Sequence, residues 1–300
     1  MALKVENVSK SFGEKKAVNN ISFTIDKPGV FGLLGTNGAG KTTTIRMILG
    51  IITKDRGTIT WNGKEVKRKH VNFGYMPEER GVYPKSKVID QLLYFAELKG
   101  MKRQEAQQAI DKWLKRLHME EYKMMAAEKL SKGNQQKIQF IIAVMNDPEL
   151  VILDEPFSGL DPVNTEQLKE VILELVQEGK YIVMSGHQMS SIEEFCRDIL
   201  ILNRGKTVLK GNLKEIKDSY PARTIEVSCN QNIEEEIKQV GLTIQNEVNY
   251  HYTLNIGEEK QGEELFQLLA QKRIPITKFE IKKPSLHDIF IEKVEEGGDK

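Results

Sequence analysis

The stretch GTNGAGKTT, from Gly35 to Thr43, has the residue types and spacing needed to grip phosphate. It follows the apolar run VFGLL and leads directly into KTTTIRMILG, so it sits on a strand–turn–helix junction. G-x-x-x-x-G-K-[ST] in that setting is a phosphate loop. Gly35, Gly38 and Gly40 permit backbone conformations closed to other residues. With Thr36, Asn37 and Ala39 between them, successive N–H groups can converge on phosphate oxygens. The dipole of the helix that follows favours the same negative charge. Lys41 is placed to reach β- and γ-phosphates, the Thr42 hydroxyl to ligate Mg²⁺, and Thr43 to extend the cradle.

A second group of residues completes such chemistry. LVILDEP carries Asp154 and Glu155 to the end of an apolar run, where an open α/β sheet binds its ligands. Asp154 fits a residue that orients Mg²⁺ or its water shell, and Glu155 a base or orienter for attacking water. His187 ends the next apolar run, in VMSGH. LSKGNQQK, from Leu130 to Lys137, precedes the apolar IQFIIAVM, which makes Ser131 a helix N-cap. Its polar neighbours raise a second use for the same helix end, as a donor to phosphate.

These groups need a scaffold, and the patterning supplies one. LKVENVS, ISFTID, GVFGLLG, GTITWNG and HVNFGYM have strand character, bounded by Gly and Asn. ELVILDEP and KYIVMSGH are continuous apolar runs, the mark of strands buried on both faces of a parallel sheet. KTTTIRMILG predicts a helix ending near Gly50, and a further helix carries Leu168, Val171, Ile172, Leu175 and Val176 on one face, with Gly179 at its end. SSIEEFC predicts a helix and RDILILNRG a strand. Strand–helix alternation of this kind implies right-handed crossovers and a mainly parallel sheet.

Residues 85–148 interrupt the alternation with a predominantly helical insert. There RQEAQQAIDKWLKRLHM places Ala106, Ile110, Trp113, Leu114 and Leu117 on one helical face, as packing residues. Composition shifts near Tyr220, which divides the chain into a domain over 1–220 and a small α+β domain over 221–300. In the latter, ARTIEVSCN, LTIQNEV, HYTLNIG and IPITKFEIKKP predict strands, and NIEEEIKQVG, EELFQLLAQKR and SLHDIFIEKVEEG helices. His287 and Asp288 form a helix-face pair there, and the last residues, GGDK, are expected to fray.

Length and charge narrow the function classes. At 300 residues the chain has room for two domains, and Lys+Arg 44 against Asp+Glu 43 leaves a formal charge of +1. That is no basic surplus of the kind nucleic-acid binding demands, so no nucleic acid is expected as partner. Cys196 and Cys229 lie far apart with no CxxC spacing, which argues against a disulfide framework or a zinc site and for a reducing compartment. MALKVENVSKSFG lacks a signal-type apolar core, and no apolar run approaches the ~18 residues of a membrane span. A soluble cytosolic chain is expected.

The order of further motifs is specific. KSFG with Phe12, the phosphate loop, GYMPEE, LSKGNQQK, LVILDEP, SGLD from Ser158 to Asp161, and the histidine of VMSGH follow one another. In that order they resemble the ATP-binding subunits of ABC transporters, from about Leu3 to Gly211. A weaker resemblance, through PSLHDIFIEKV, extends to exporter ATPases of the NatA type that carry a C-terminal α+β appendage. The resemblance implies an α/β phosphate-loop NTPase core with an antiparallel β subdomain and a helical insert. It implies ATP and Mg²⁺ as cofactors and ATP hydrolysis as the activity. Phe12 would stack on adenine, Glu155 would serve as base, and His187 would contact the γ-phosphate and help hold the attacking water. Thr42, Glu78 and Asp154 would attend the metal.

By the same resemblance Ser131 and Gly133 contact the ATP of a second subunit, and Asp161 with Ser158 couples the two sites. A homodimer or heterodimer of ATP-binding subunits follows, with a separate integral membrane permease docking beside EERGVYP and the helical insert. The chain would then be cytoplasmic, peripheral on the inner face of the cell membrane, and would power efflux. The alternative is an ATPase of the same type acting on ribosomes or DNA, against which stand the single motif set and the absence of sustained heptads or a basic arm. Two departures from the family pattern stand out. Glu78 replaces the usual Gln, adding negative charge beside Asp154 and Glu155. Lys132 and Asn134 replace a Gly and a Gln of the usual L-S-G-G-Q, while Ser131 and Gly133 remain.

Overall fold

The computed structural model describes residues 3–67, 72–79, 81–187, 189–258 and 260–298. They group into two compact units, 1–211 and 212–300. The division precedes the composition shift near Tyr220. Helix α7 (Leu213–Asp218) belongs to the second unit, where Lys283 Nζ pairs with Asp218 at 2.8 Å.

In the first unit, strands β1 (Leu3–Phe12), β2 (Lys15–Ile25), β4 (Arg56–Trp61) and β5 (Lys64–Glu65) form an antiparallel sheet in the order β2-β1-β4-β5. β1 and β2 extend beyond the predicted LKVENVS and ISFTID, because they continue to a tight hairpin at Gly13 that pairs Phe12 with Lys15. The second sheet contains β3 (Gly29–Gly35), β6 (Phe73–Met76), β7 (Leu150–Asp154), β8 (Tyr181–Gly186), β9 (Cys196–Asn203) and β10 (Lys206–Asn212), in the order β10-β9-β3-β8-β7-β6. β6, β7, β8, β3 and β9 are parallel neighbours. Of the predicted HVNFGYM, β6 takes the last four residues; Val71 and His70 lie outside the described residues.

All five residues of β7, LVILD, are buried, as a central parallel strand requires. The core between the two sheets holds Leu3, Val5, Ile21, Phe23, Leu33, Ile152 and Leu200 around helix α1 (Lys41–Ile48), and the Phe23 and Phe31 rings stack at 4.9 Å. Gly32 in β3 leaves no room for a side chain, since an added Cβ would lie 2.9 Å from Cys196 Sγ.

Between β6 and β7 the chain forms the insert of helices α2 (Val88–Leu98), α3 (Arg103–Arg116) and α4 (Lys132–Val144). Ala106, Ile110, Leu114 and Leu117 are buried, whereas Trp113 is only partly so and meets Phe140 edge-on at 6.2 Å. Helix α5 (Pro162–Gln177) follows β7 and buries Leu168, Val171, Ile172 and Leu175. The helix predicted from SSIEEFC is shorter: α6 runs Met189–Glu193, because Cys196 already belongs to β9 beside Gly32. Among the described residues no helix is long and apolar enough to cross a membrane.

The second unit begins with α7 (Leu213–Asp218). It continues as β11 (Thr224–Cys229), α8 (Glu234–Gln239), β12 (Thr243–Val248), β13 (His251–Asn255), α9 (Lys260–Gln271), β14 (Ile276–Lys282) and α10 (Leu286–Gly298). Its antiparallel sheet has the order β12-β13-β11-β14, so the α+β unit has the β-α-β-β-α-β arrangement of ferredoxin-like folds. The β12–β13 turn uses Asn249 and Tyr250 at φ 52 and 64, the left-handed pair a two-residue hairpin needs. Asp288 accepts from the Ser285 N–H at 2.9 Å while Ser285 Oγ accepts from the Asp288 N–H at 3.2 Å, a reciprocal cap on α10.

Candidate active site

The parallel strands of the first unit all end on one side, and the phosphate loop, Asp154, Glu155 and His187 lie at those ends. β3 runs into the phosphate loop. Gly35 there has φ 146 and would place a Cβ 2.3 Å from the Leu202 carbonyl, so no side chain fits. Gly40 occupies the N-cap of α1 at φ 107, and among the described residues no side chain caps the first turn. The N–H groups of that turn are thus left for an anion. Thr36, Asn37 and Gly38 are exposed at the tip, Ala39 is buried, and Thr42 and Thr43 are half-buried.

Lys41 is buried and its ammonium turns toward the loop, donating to the carbonyls of Gly35 at 2.9 Å and Thr36 at 3.4 Å. The same nitrogen lies 3.6 Å from Glu155 Oε1. Glu155 Oε2 in turn lies 2.9 Å from His187 Nδ1. A lysine, a carboxylate and an imidazole from β3–α1, β7 and β8 therefore meet in one chain of contacts. Glu155 adopts φ 53, an uncommon backbone state for a glutamate and one that concentrates at functional sites.

Ser185 underlies this arrangement. Fully buried in β8, it donates from Oγ to Asp154 Oδ1 and accepts the Glu155 N–H at 3.1 Å. Burial pushes the Asp154 carboxyl above its ordinary range, opposed by the Ser185 and Thr42 hydroxyls. Burial also raises the Tyr75 phenol to about 12, with the Asp154 charge adding to the effect.

Asp154 Oδ2 is buried with no hydrogen-bond partner among the described residues. An unpaired buried carboxylate oxygen beside a half-buried threonine suits a hard cation that takes oxygen ligands, so the donor set fits Mg²⁺. Glu78 lies exposed just past β6, whose Met76 pairs with Leu153 of β7. That register carries Glu78 to the strand ends near the acidic pair, and it makes no ion pair among the described residues.

Phe12 is 53% exposed at the end of β1, with Lys10 Nζ 5.5 Å from its ring centre. Ser131, Gly133 and Asp161 form a separate cluster. Ser131 caps α4, accepting the Asn134 N–H at 3.2 Å. A hydroxyl that accepts one such bond still has its own hydrogen to donate. Buried Gly133 lies against Asn164, whose amide nitrogen would be 3.0 Å from an added Cβ. Asn164 also donates its side chain and its backbone N–H to Asp161, and these bonds hold the Asp161 carboxyl below its usual range. Among the described residues no hydrogen bond or ion pair ties this cluster to the phosphate loop. Lys132 is exposed beside it.

A phosphate loop, an acidic strand end and a helical insert between β6 and β7 define an ABC-type ATPase. The ABC transporter family model matches residues 18–158, and a model described as the ATP-binding protein DrrA1-3-like C-terminal domain matches 211–294. YhaQ of Bacillus subtilis, an uncharacterized ABC transporter ATP-binding protein, is 48% identical over 97% of this chain and 98% of its own. The linearmycin resistance ATP-binding protein LnrL of the same organism is 29% identical over 96% of this chain and 97% of its own. A solved ATP-binding subunit of an ABC transporter superposes with a TM-score of 0.67 at 30% identity, covering 73% of this chain and 92% of that one. The chain belongs to the ATP-binding subunits of ABC transporters, an ATP-hydrolysing family.

Proposed function

We propose that two copies of the chain, or one copy and a related subunit, sandwich two ATP molecules with Mg²⁺ and drive a separate membrane permease that exports its substrate. The observation that carries this reading is the Ser131–Gly133–Asp161 cluster at a helix end, which no hydrogen bond or ion pair among the described residues ties to the phosphate loop of its own chain. A serine hydroxyl and a helix N-terminus suit an anion, and a second chain can bring the phosphates of its ATP there.

In each half, Phe12 stacks on adenine, and residues Gly35 to Thr43 hold the phosphates with Lys41 on the β- and γ-groups. Thr42, Asp154 and Glu78 hold the metal, which neutralises charge on the phosphates. Glu155 takes the proton of the water attacking the γ-phosphorus, while His187 holds the Glu155 carboxylate and meets the γ-phosphate. Cleavage of the bridging bond releases ADP and phosphate, and with them the contacts that join the subunits. Ser131→Arg fills the helix end with a long cation. In sedimentation runs with the slow Glu155→Gln background, ATP-driven dimers should disappear while ATP affinity stays within about threefold of the parent. Dimers that form as before would reduce LSKGNQQK to a cap.

The membrane side of the proposal rests on exposed apolar surface beside the predicted docking segment. Tyr83, Tyr94, Leu98 and Met124 are 51%, 49%, 64% and 61% exposed, and the Tyr83 ring packs 6.1 Å from that of Phe95. The Tyr83 and Tyr94 rings meet edge-on at 6.3 Å, and exposed aromatic surface of this kind suits a partner. Export is favoured by the relative named for linearmycin resistance, since a transporter confers resistance by moving a compound outward. The chain then works in the cytoplasm, on the inner face of the membrane. Affinity purification from detergent-treated membranes should recover an integral protein with several apolar spans of ~20 residues. Recovery of ribosomal proteins or DNA instead would favour the alternative reading.

A further inference from the structure

Two buried glutamines on α4 have no place in the chemistry described so far. Gln136 and Gln139 are 8% and 4% exposed on a helix otherwise packed with Ile138, Phe140 and Ile141. A buried amide without partners costs a few kcal/mol, so their contacts must be specific. Gln136 Nε2 donates to the carbonyl of Pro156 at 2.7 Å and more weakly to that of Glu155 at 3.4 Å. Gln139 Nε2 donates to the carbonyl of Glu79 at 2.9 Å. Spaced i, i+3, the two residues share one helix face. That face thus holds the backbone next to both acidic positions of the site, Glu155 and Glu78.

The N-terminal end of the same helix carries Ser131 and Gly133. From Ser131 to Gln136 the rise is about 7.5 Å at 1.5 Å per residue, within one hydrogen-bonded rod. We infer that Gln136 and Gln139 are positioning residues through which α4 passes occupancy at its Ser131 end to Glu155 of the same chain. The inference rests on the dimer reading, in which the occupant is the partner's nucleotide. Each subunit's signature end would then adjust its own hydrolysis turn, and the two sites would fire together. Gln136 sets the Pro156 carbonyl and hence the left-handed Glu155. Gln139 sets the segment that bears Glu78.

The test uses the full chain and steady-state phosphate release with Mg²⁺-ATP. Gln136→Met keeps length and burial but removes the donor. It should lower kcat about tenfold, with ATP affinity and ATP-driven dimerisation within twofold of wild type. Ser131→Ala should also slow turnover. The double variant should be no slower than the slower single one, because both act along one connection. Multiplicative losses, an unchanged kcat in Gln136→Met, or equal losses of turnover and ATP affinity would each overturn the inference, the last by marking a simple strut. Should Gln136→Met fail to fold, Gln139→Met is read in the same cycle with a smaller loss. Wild-type dimerisation in ATP is measured alongside. A wild type that stays monomeric overturns the dimer reading and this inference with it, whereas a dimerising wild type confines any failure to the glutamines.

Discussion

Glu155→Gln should lower the turnover of ATP by about 10²–10⁴-fold, the usual worth of general-base assistance, while leaving ATP affinity within about threefold. The amide keeps the shape of the side chain and can still bond His187 Nδ1, 2.9 Å away in the parent. It cannot take a proton from water. Because the Lys41 ammonium lies 3.6 Å from the Glu155 carboxylate, removing the negative charge also frees the lysine for phosphate. Affinity should therefore hold or rise, and ATP-bound dimers should accumulate on a sizing column. Phosphate release at the wild-type rate would remove Glu155 as the base and move the search to His187.

Lys41→Ala should act at the binding step. A charge-assisted hydrogen bond is worth about 1.5–3 kcal/mol, so the dissociation constant for ATP should rise by about 10- to 150-fold in a titration. The parent lysine donates to the Gly35 carbonyl at 2.9 Å, which shows that its reach covers the mouth of the loop. Truncation leaves Glu155 without its cation, so turnover should fall as well, but through a different route from Glu155→Gln. The two variants separate by dimerisation: Glu155→Gln gathers ATP dimers, and Lys41→Ala fails to form them at the same ATP concentration. Unchanged ATP affinity in Lys41→Ala would remove the lysine from the phosphate site.

How much of this was legible in the residues depended on what each signal reports. LVILD announced a buried strand because both of its faces meet protein, and all five residues are buried. The loop after β3 was legible because Gly35 and Gly40 hold positive φ in space where a Cβ collides with backbone. β10 was not separately legible. Its sequence KTVLKGN lies at the sheet edge with exposed and half-buried residues in no alternation. α6 was read too long because apolar periodicity cannot tell a helix end from a strand start. That boundary is set by Cys196 packing on Gly32 across β9 and β3.

Among site residues, those with chemistry in their side chains stood out, and those that work through backbone did not. Ser185 is a small residue in a buried strand, and nothing in VMSGH distinguishes a packing serine from one that bridges Asp154 and the Glu155 N–H. Gln136 and Gln139 left a fainter mark, as amides spaced i, i+3 in an apolar helix. Ser131 was legible as a cap, and its Oγ accepts the Asn134 N–H as the pattern required. Its proposed second use depends on another chain, which spacing within one chain does not encode.

The contact between Gly32 and Cys196 has a practical side. Burial pushes the Cys196 thiol well up from its ordinary value, and Cys229 is raised for the same reason while its Sγ donates to the Gln231 carbonyl at 3.1 Å. Alkylation needs an accessible thiolate, and neither native sulfur offers one. The folded chain is therefore a silent background for thiol chemistry. A single cysteine placed on its surface, at exposed Lys132 for example, becomes the one handle for a fluorophore or a crosslinker. The opening and closing of two subunits can then be followed by distance, without first stripping the protein of its own cysteines.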